Sequence, residues 1–373
     1  MIYLDYSANT PADPAVLQCF VETEQQFFGN ANSNHAAGFA AKEKMAQTTD
    51  SIASLLGVQP SEIIYTSGAS ESNNTAIKGL ARASRHIGKH IISTPLEHSS
   101  VSGCLTALQE QGYEIDLVDI DRNGKVDVEH FRELMRDDTV LAAITAVDSE
   151  LGTVQPIQEI IAVLKDFPNC RFHVDATQAI GKTEFSFADI DTVSLAPHKF
   201  YGLNGSGILY KRQKLIIEPL IHGGASTTLY RSGTPALSLA VCADKALQLT
   251  YAQFEQRLHT VQQHNRTLRE FFARFPKVRI NSPADAVPHI LNLSVQGIKG
   301  TAFQKALDAK EVCVSVKSAC STDGTPSRAV FAVSQDRRNA LSSWRISLSH
   351  LTTEQELSEF MKRFEQCYQE FSL

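Results

Sequence analysis

The sequence predicts an α/β protein with a mostly parallel central sheet and a second, smaller α+β domain. Short β-branched runs alternate with amphipathic stretches over most of the chain, which is typical of strands joined by crossover helices. After residue 252 this alternation stops and a long polar helix follows. The length of 373 residues also exceeds what one ordinary core accommodates. We therefore expect a large domain over residues 11–250 and a small domain over 1–10 and 251–373.

The elements of the large domain follow from the spacing of its apolar residues. Short, mostly apolar runs predict strands at residues 63–66, 90–93, 114–118, 140–147, 171–175, 192–195 and 207–210. Amphipathic spacing predicts helices at residues 70–85, 99–111 and 128–135, and another that begins at Pro156. Because parallel strands end at the same edge of a sheet, we expect the functional site at their carboxyl ends.

The region after residue 252 predicts a mixed α+β unit. Its predicted strands are residues 290–294, 312–316 and 344–347, and its predicted helices are 253–275, one that begins at Thr301 and one that opens at Thr352. A loop rich in Ser, Thr and Gly follows the second of these strands. We expect that loop to be mobile.

Composition and charge exclude several classes of function. The 35 Lys and Arg residues against 41 Asp and Glu residues leave a formal charge of −6, which argues against direct nucleic-acid or membrane binding. The seven cysteines contain no CxxC pair and the histidines lack zinc spacing, so no disulfide framework or metal site is expected. Neither a signal peptide nor a membrane-spanning stretch is visible. We expect a cytoplasmic protein.

Four features fall where predicted strands end, and together they suit one cofactor. Residues 66–71 join a strand to a helix through small residues, which favours anion binding at the start of the helix. His98 follows one strand, Asp175 ends another and Lys199 follows the next. Each alone has a plainer explanation, as a helix cap, a core residue or a lysine reaching towards solvent. Together they match pyridoxal phosphate, whose ring nitrogen suits Asp175 and whose aldehyde suits Lys199.

Short motifs along the whole chain point to one family. In chain order they are Leu4-Asp5-Tyr6-Ser7-Ala8, Phe28-Gly29-Asn30, Thr66-Ser67-Gly68-Ala69-Ser70-Glu71, Glu97-His98, Glu150-Leu151-Gly152, Asp175-Ala176-Thr177-Gln178, His198-Lys199, Arg231-Ser232-Gly233-Thr234, Ser318-Ala319-Cys320 and Arg345-Ile346-Ser347. With these motifs in this order, the sequence resembles the cysteine desulfurases related to NifS and IscS. These are class-V aminotransferases and pyridoxal-phosphate enzymes of fold type I. The resemblance implies that fold, pyridoxal 5'-phosphate as the cofactor, L-cysteine as the substrate and a homodimer.

The resemblance also implies a role for each matching residue. Lys199 carries the cofactor, Asp175 pairs with its ring nitrogen, and His98 stacks on the ring and takes part in catalysis. The remaining cofactor-binding residues that it implies are Ala69, Ser70, Ser149, Gln178, His198 and Thr234, the last of them supplied by the neighbouring subunit. Asn30 and Arg345 are implied to bind the carboxylate of the substrate, a task for which a guanidinium group is well suited.

Cys320 is implied to be the nucleophile. It lies in the Ser/Thr/Gly-rich loop of the small domain, and such a loop is able to carry a thiol between the substrate and a distant acceptor. By this resemblance Cys320 takes the sulfur of L-cysteine as a persulfide, L-alanine is released, and the sulfur passes to an acceptor protein. The other six cysteines are expected to be inert.

Three positions depart from the family pattern. Ser149 replaces an Asn expected near the phenolic oxygen of the cofactor, Ala196 replaces a phosphate-binding Ser, and Ala31 stands where Pro is usual. Together these departures predict looser cofactor binding or a specialised branch of the family.

Two other functions remain open at this point. One is a selenocysteine lyase, or another β-eliminating enzyme of the same fold, and the other is a sulfur-relay or scaffold subunit with little turnover. The sulfur acceptor is open as well, among an iron–sulfur scaffold, a tRNA-thiolation protein, a thiamine-pathway carrier and a DNA-backbone thiolation system.

Overall fold

The computed structural model describes residues 1–316 and 325–371 of the chain. Its helices are α1 (Pro14–Gln26), α2 (Ala36–Leu56), α3 (Ala69–Ala83), α4 (Ser99–Gln109), α5 (Val128–Leu134), α6 (Ile157–Leu164), α7 (Leu237–Ala252), α8 (Phe254–Phe272), α9 (Gly300–Asp308), α10 (Arg328–Ser334), α11 (Arg337–Ser342) and α12 (Glu354–Glu370). Its strands are β1 (Ile2–Tyr3), β2 (Ile63–Thr66), β3 (His90–Ser93), β4 (Glu114–Leu117), β5 (Thr139–Thr145), β6 (Arg171–Asp175), β7 (Thr192–Leu195), β8 (Gly207–Lys211), β9 (Val278–Ile280), β10 (Ile290–Val295), β11 (Val312–Cys313) and β12 (Ser343–Ser347).

The large sheet confirms the predicted α/β class. Its strand order is β2-β8-β7-β6-β5-β3-β4. The strands from β7 to β4 run parallel, whereas β8 is antiparallel to both of its neighbours. Thr145 pairs with Asp175 and Asp175 with Ser194, so β5, β6 and β7 end side by side. The sequence-predicted site residues of these strands therefore meet at one edge.

Helices cover both faces of this sheet, which explains why its central strands are apolar throughout. Every residue of β5 and of β7 is buried. On one face the core includes Ile77 of α3 and Leu105 of α4, and on the other it includes Phe131 of α5 and Ile160 of α6. A parallel sheet needs this cover on both faces because neither face is polar.

The second sheet is smaller and antiparallel, with the order β12-β10-β9. Its core contains Trp344 of β12, Phe272 of α8 and Phe364 of α12. Leu4 also belongs to this core, since β1 pairs with β11 and brings the start of the chain into the small domain. This grouping supports our proposed division of the chain near residues 10 and 250.

Several elements differ from the expectation. The strand–helix alternation does not predict α1, α2 and α7. Both α2 and α7 are rich in Ala and lack a clear apolar stripe. The strand expected at residues 312–316 is limited to Val312–Cys313, and Ser315 instead forms an isolated bridge with Arg345. Within residues 1–316 and 325–371, no helix is both long enough and apolar enough to cross a membrane.

A substitution of Phe364 tests how much its packing stabilises the small-domain core. Its fully buried ring contacts the rings of Phe272, Phe303 and Trp344. Phe364→Ala should lower the free energy of unfolding of this domain by about 3–5 kcal/mol, because it removes a packed ring and leaves a cavity. Urea unfolding followed by fluorescence measures this, since Trp344 is the only tryptophan of the chain. The half-exposed Phe331→Ala is the control, and an equal effect of both changes would contradict the prediction.

Candidate active site

A cavity of about 380 Å³ lies at the carboxyl edge of the large sheet. Segments that follow β2, β3, β5, β6 and β7 line it, together with part of the N-terminal segment and β12. It brings together nine of the residues singled out from the sequence, namely Ala69, Ser70, His98, Ser149, Asp175, Gln178, His198, Lys199 and Arg345. The expected sheet edge therefore gathers most of the predicted site.

Three of the predicted site residues lie elsewhere. Asn30 is exposed, is not among the described residues that line the cavity, and accepts a hydrogen bond from the Asn32 amide at 2.9 Å. Thr234 is also exposed and away from the cavity of its own chain. Cys320 lies outside the described residues. The roles of these three residues stay predictions.

The start of α3 forms one end of the cavity and suits an anion. The helix begins at Ala69 after Gly68, and no side chain within residues 1–316 or 325–371 caps its first amides. Gly68 has φ of 155°, and a Cβ on Gly207 of β8 would lie 2.6 Å from the Gly68 backbone, so glycine at both positions allows this tight turn. Uncapped amides at the positive end of a helix favour a phosphate group.

Glu71 places a carboxylate near this end, but its charge is balanced. It accepts hydrogen bonds from the Ser67 amide at 2.7 Å and from Arg231 Nε at 3.0 Å. Burial alone would raise the pKa of Glu71, but the bonds from Ser67 and Arg231 outweigh it and the pKa is lowered. The ion pair with Arg231 therefore leaves the helix start available to an anion.

Asp175 is the buried acid of the site. It ends β6 and is 5% exposed. Its Oδ1 accepts a hydrogen bond from the Thr177 amide at 3.0 Å, and its Oδ2 accepts one from Asn73 Nδ2 at 2.8 Å. Because both oxygens accept, the ionised carboxylate fits this position and is able to pair with a protonated ring nitrogen.

Lys199 lies in a short 3₁₀ turn directly after β7. Its Nζ donates to the carbonyl of Ser7 at 2.8 Å and to that of Ala8 at 2.6 Å. The adjacent His198 is kept neutral, because burial and then the charges of Lys199 and Lys182 lower its pKa to about 4. The turn thus presents an amine and an uncharged imidazole to the cavity.

Behind Lys199 lies a second buried lysine that the sequence did not reveal. Lys182 Nζ donates to Gln178 Oε1 at 2.8 Å, and Gln178 Nε2 donates to the Ser7 carbonyl at 2.9 Å. Burial, and after it the charges of Lys199 and Arg345, lower the pKa of Lys182 to about 7. The side chain of Gln178 is therefore fixed from both ends where it meets the cavity.

Arg345 reaches the cavity from β12 and is 2% exposed. Its Nη1 donates to the Ser149 carbonyl at 2.7 Å, and its Nη2 forms an ion pair with Asp5 Oδ1 at 3.0 Å. Its Nε is buried and has no hydrogen-bond partner in the described part of the chain. A guanidinium with a free donor is suited to a carboxylate ligand.

His98 follows β3 and caps α4. Its Nδ1 accepts a hydrogen bond from the Ser100 amide at 3.2 Å and lies 2.8 Å from Ser100 Oγ. Burial, and to a lesser degree the charge of Lys199, lowers the pKa of His98. The cavity therefore receives a neutral imidazole, a flat group that is able to stack on an aromatic ring.

These residues fit pyridoxal phosphate. The uncapped start of α3 suits the phosphate, the Asp175 carboxylate suits a ring nitrogen, and the amine of Lys199 suits an aldehyde. The cavity also contains buried polar atoms without partners, on Ser7 Oγ and Thr177 Oγ1, which indicates that a polar ligand belongs there. Among the described residues, no group of His, Cys, Asp and Glu could hold a metal ion.

Several supporting residues are not evident from the sequence. Asn73 bonds to Asp175, Ser100 bonds to His98, and His173 bonds to Asn73. Asp5 supports Arg345, and Lys182 supports Gln178. The only signal for Asn73 is that it lies three residues after Ser70, on the same face of α3. The others act through contacts between distant elements, which periodicity cannot reveal.

Comparison with known proteins shows which family the chain resembles. The chain matches the family described as aminotransferase class-V over residues 2–360. It is 36% identical to the NifS/IcsS protein homolog of Lactobacillus delbrueckii subsp. bulgaricus, over 100% of this chain and 98% of that protein. It is 34% identical to the cysteine desulfurase IscS of Dictyoglomus turgidum, over 96% of this chain and 92% of that protein. A solved structure described as a NifS-like protein is similar with a TM-score of 0.93 and 32% identity, over 99% of each chain.

Glu97, beside His98, predicts a pH dependence of stability. Burial raises the pKa of Glu97 to about 8 from an ordinary value of 4.5, so the folded state keeps a proton that the unfolded state releases. Stability should therefore fall as pH rises from about 4.5 to about 8. Glu97→Gln cannot ionise and its oxygen still accepts from Thr94 and Thr145, so it should gain stability over the natural protein across this range.

Urea unfolding midpoints at pH 5 and pH 8, followed by circular dichroism, measure this effect. Glu110→Gln is the control, because Glu110 is exposed and its replacement should leave both midpoints unchanged. A difference between Glu97→Gln and the natural protein that is equal at both pH values would contradict the assignment.

Proposed function

The chain belongs to the aminotransferase class-V family, and on this premise we propose that it is a cysteine desulfurase that stores the sulfur of L-cysteine as a persulfide on Cys320. The enzyme depends on pyridoxal phosphate, as its family does. The observation that carries the proposal is a single cavity in which Lys199, Asp175 and His98 face the uncapped start of α3.

The cofactor is held by residues of the large domain. Ala69 and Ser70 would hold its phosphate, Asp175 its ring nitrogen and His98 its ring face, while Lys199 Nζ would bond to its aldehyde. When bound, pyridoxal phosphate supplies a carbonyl for the substrate amine and an aromatic system that accepts the electrons of the broken Cα–H bond. Gln178 and Ser149 lie in the same cavity and complete the cofactor contacts.

The substrate is held by charge. Arg345, with Nε free and Nη2 bound to Asp5, offers a donor to the carboxylate of L-cysteine. Lys199 Nζ is the base that takes the Cα proton, because it is an amine inside the cavity. Asn30, exposed near the end of α1, remains our second proposed ligand of this carboxylate.

The sulfur step balances within the enzyme and its substrate. The thiolate of Cys320 attacks the sulfur of L-cysteine, so an S–S bond forms on Cys320 and the Cβ–S bond of the substrate breaks. The substrate carbon is reduced to the methyl group of L-alanine and gains a proton, while Cys320 is oxidised to the persulfide and has lost its thiol proton. No outside oxidant is needed.

The settings of five of the other six cysteines support Cys320 as the nucleophile. Burial raises the pKa of Cys104 and Cys367 to about 11 and that of Cys170 and Cys242 to about 12, which keeps these thiols protonated. A protonated thiol is a poor nucleophile. Cys313 is partly buried, and burial raises its pKa as well.

A homodimer is the assembly that we propose. Three large apolar side chains are exposed on one region, with Phe28 81% exposed, Leu229 76% and Phe39 57%. A hydrogen bond of 3.3 Å from Asn32 to Ser226 joins the segment that carries the two phenylalanines to the segment that carries Leu229. Exposed apolar patches of this kind favour protein association, and a second copy of the chain is the partner we propose.

This dimer would also give Thr234 a role. Thr234 is exposed, follows Leu229 by five residues and does not line the cavity of its own chain. In the proposed dimer it reaches the cofactor phosphate of the neighbouring subunit. We further propose that the persulfide sulfur passes to an acceptor protein, and that this takes place in the cytoplasm, where thiols stay reduced.

Labelled cysteine tests the nucleophile. With ³⁵S-L-cysteine and no reductant, the natural enzyme should retain label on the protein, and Cys320→Ser should lose it while still binding the cofactor. Non-reducing gel electrophoresis with autoradiography measures the label. Cys313→Ser is the matched control and should label like the natural enzyme, since it removes a different thiol, one that is partly exposed. Label on Cys320→Ser would refute the assignment.

A charge at the apolar region tests the dimer. Leu229→Glu should shift the protein from dimer to monomer in analytical ultracentrifugation, because it places a carboxylate in an apolar interface. Leu351→Glu changes another half-exposed leucine outside this region and should leave the dimer intact. If both variants sediment like the natural protein, the interface lies elsewhere.

A further inference from the structure

Beneath the cavity, a chain of hydrogen bonds joins His98 to Asp175, and Asn73 is its centre. Asn73 is fully buried on α3. Its Nδ2 donates to Asp175 Oδ2 at 2.8 Å and to Ser100 Oγ at 2.9 Å. Its Oδ1 lies 2.9 Å from His173 Nε2, and Ser100 Oγ lies 2.8 Å from His98 Nδ1.

The contacts of His98 determine which group donates in each of these hydrogen bonds. The backbone amide of Ser100 donates to His98 Nδ1 at 3.2 Å, so Nδ1 carries the lone pair. The Ser100 hydroxyl therefore donates to the same nitrogen. Because burial keeps His98 neutral by lowering its pKa, its one ring proton is on Nε2.

The orientation of Asn73 follows from this. The hydrogen of the Ser100 hydroxyl is used by His98, so Ser100 Oγ must accept its bond with Asn73 from Nδ2. The second hydrogen of Nδ2 is donated to Asp175. Both amide hydrogens of Asn73 are thus assigned, and its Oδ1 must face His173.

His173 completes the chain from the opposite side. It is fully buried, and burial lowers its pKa to about 4, so it is neutral. Its Nε2 proton is donated to Asn73 Oδ1, and its Nδ1 accepts from the hydroxyl of Thr192 at 2.9 Å. Reversing any of these bonds would set two donors or two acceptors face to face, and burial makes such a mismatch costly.

We propose that Asn73 is a positioning residue that holds the Asp175 carboxylate towards the cofactor ring and, through the Ser100 hydroxyl, holds the imidazole of His98 in place. One buried amide thereby couples the group at the ring nitrogen to the group that faces the ring. The inference concerns the site of the proposed desulfurase, but it depends only on cofactor binding and not on sulfur transfer.

Asn73→Asp tests the coupling with almost no change in size. The new carboxylate has no hydrogen to donate to Ser100, so the Ser100 hydroxyl should turn towards it and leave His98 Nδ1. The Ser100 amide still donates to Nδ1, so the ring proton stays on Nε2 and His98 loses one hydrogen bond. The new charge also repels Asp175, so the dissociation constant of pyridoxal phosphate should rise at least tenfold.

The hydrogen bonding of His98 Nδ1 can be read by ¹⁵N NMR of histidine-labelled holoenzyme, because the resonance of an unprotonated ring nitrogen shifts when it loses a hydrogen bond. His98→Gln identifies its signals among the twelve histidines of the chain. Asn74→Asp is the matched control, because it adds the same charge at the next residue, whose side-chain amide donates to the Ser70 carbonyl. This control should leave the Nδ1 resonance unchanged and bind the cofactor within threefold of the natural enzyme.

The proposal is overturned if Asn73→Asp leaves the ¹⁵N resonance of His98 Nδ1 unchanged or binds the cofactor within twofold of the natural enzyme. If that variant does not fold, two substitutions of His173 test the proposal instead. His173→Leu removes the donor to Asn73 and should weaken cofactor binding at least fivefold, whereas His173→Gln keeps a neutral donor and should restore binding to within twofold. Equal binding by both variants also overturns the proposal. Loss of desulfurase activity alone affects neither readout, so failure of the proposed function remains distinguishable.

Discussion

The burial of a carboxylate at the end of β6 is the constraint on which the site depends. Asp175 is almost completely removed from water, and such a group is tolerated only where donors replace the lost water. One donor is the amide of Thr177, and the other comes from Asn73 on α3. The contact with Asn73 fixes α3 against β6, and this same packing aims the uncapped start of α3 into the cavity. The anion site and the acid are therefore set by one interaction.

The charges around the cavity favour an anionic ligand. Lys182, Lys199 and Arg345 bring three basic side chains close together, and burial, followed by the charges of Lys199 and Arg345, depresses the pKa of Lys182. Asp5 offsets part of the positive charge through its ion pair with Arg345. A phosphate and a substrate carboxylate would supply further negative charge, so the two ligands and the protein would stabilise one another.

How far the sequence predicts this protein depends on the range of the interactions. Local patterns locate β5, β6 and β7 and the residues that follow them, because apolar strands and strand-end polar residues leave a signal over a few positions. They miss α2, whose small residues pack without a strong stripe, and they do not reveal that β8 runs against its neighbours. Asn73 and Asp5 escape for a different reason, since each matters only through a partner about a hundred residues or more away.

The pairing of β1 with β11 has a consequence for how the chain folds as it is made. Ile2 lies beside Val312, and Leu4 shares a core with Phe364, so the two ends of the chain build one domain together. The large sheet needs nothing beyond Lys211 for its strands and can form while synthesis continues. The first residues must wait until β11 and β12 have left the ribosome. Asp5, Ser7 and Ala8 follow β1 directly, so the contacts that hold Arg345 and Lys199 are completed only after β12 has been made.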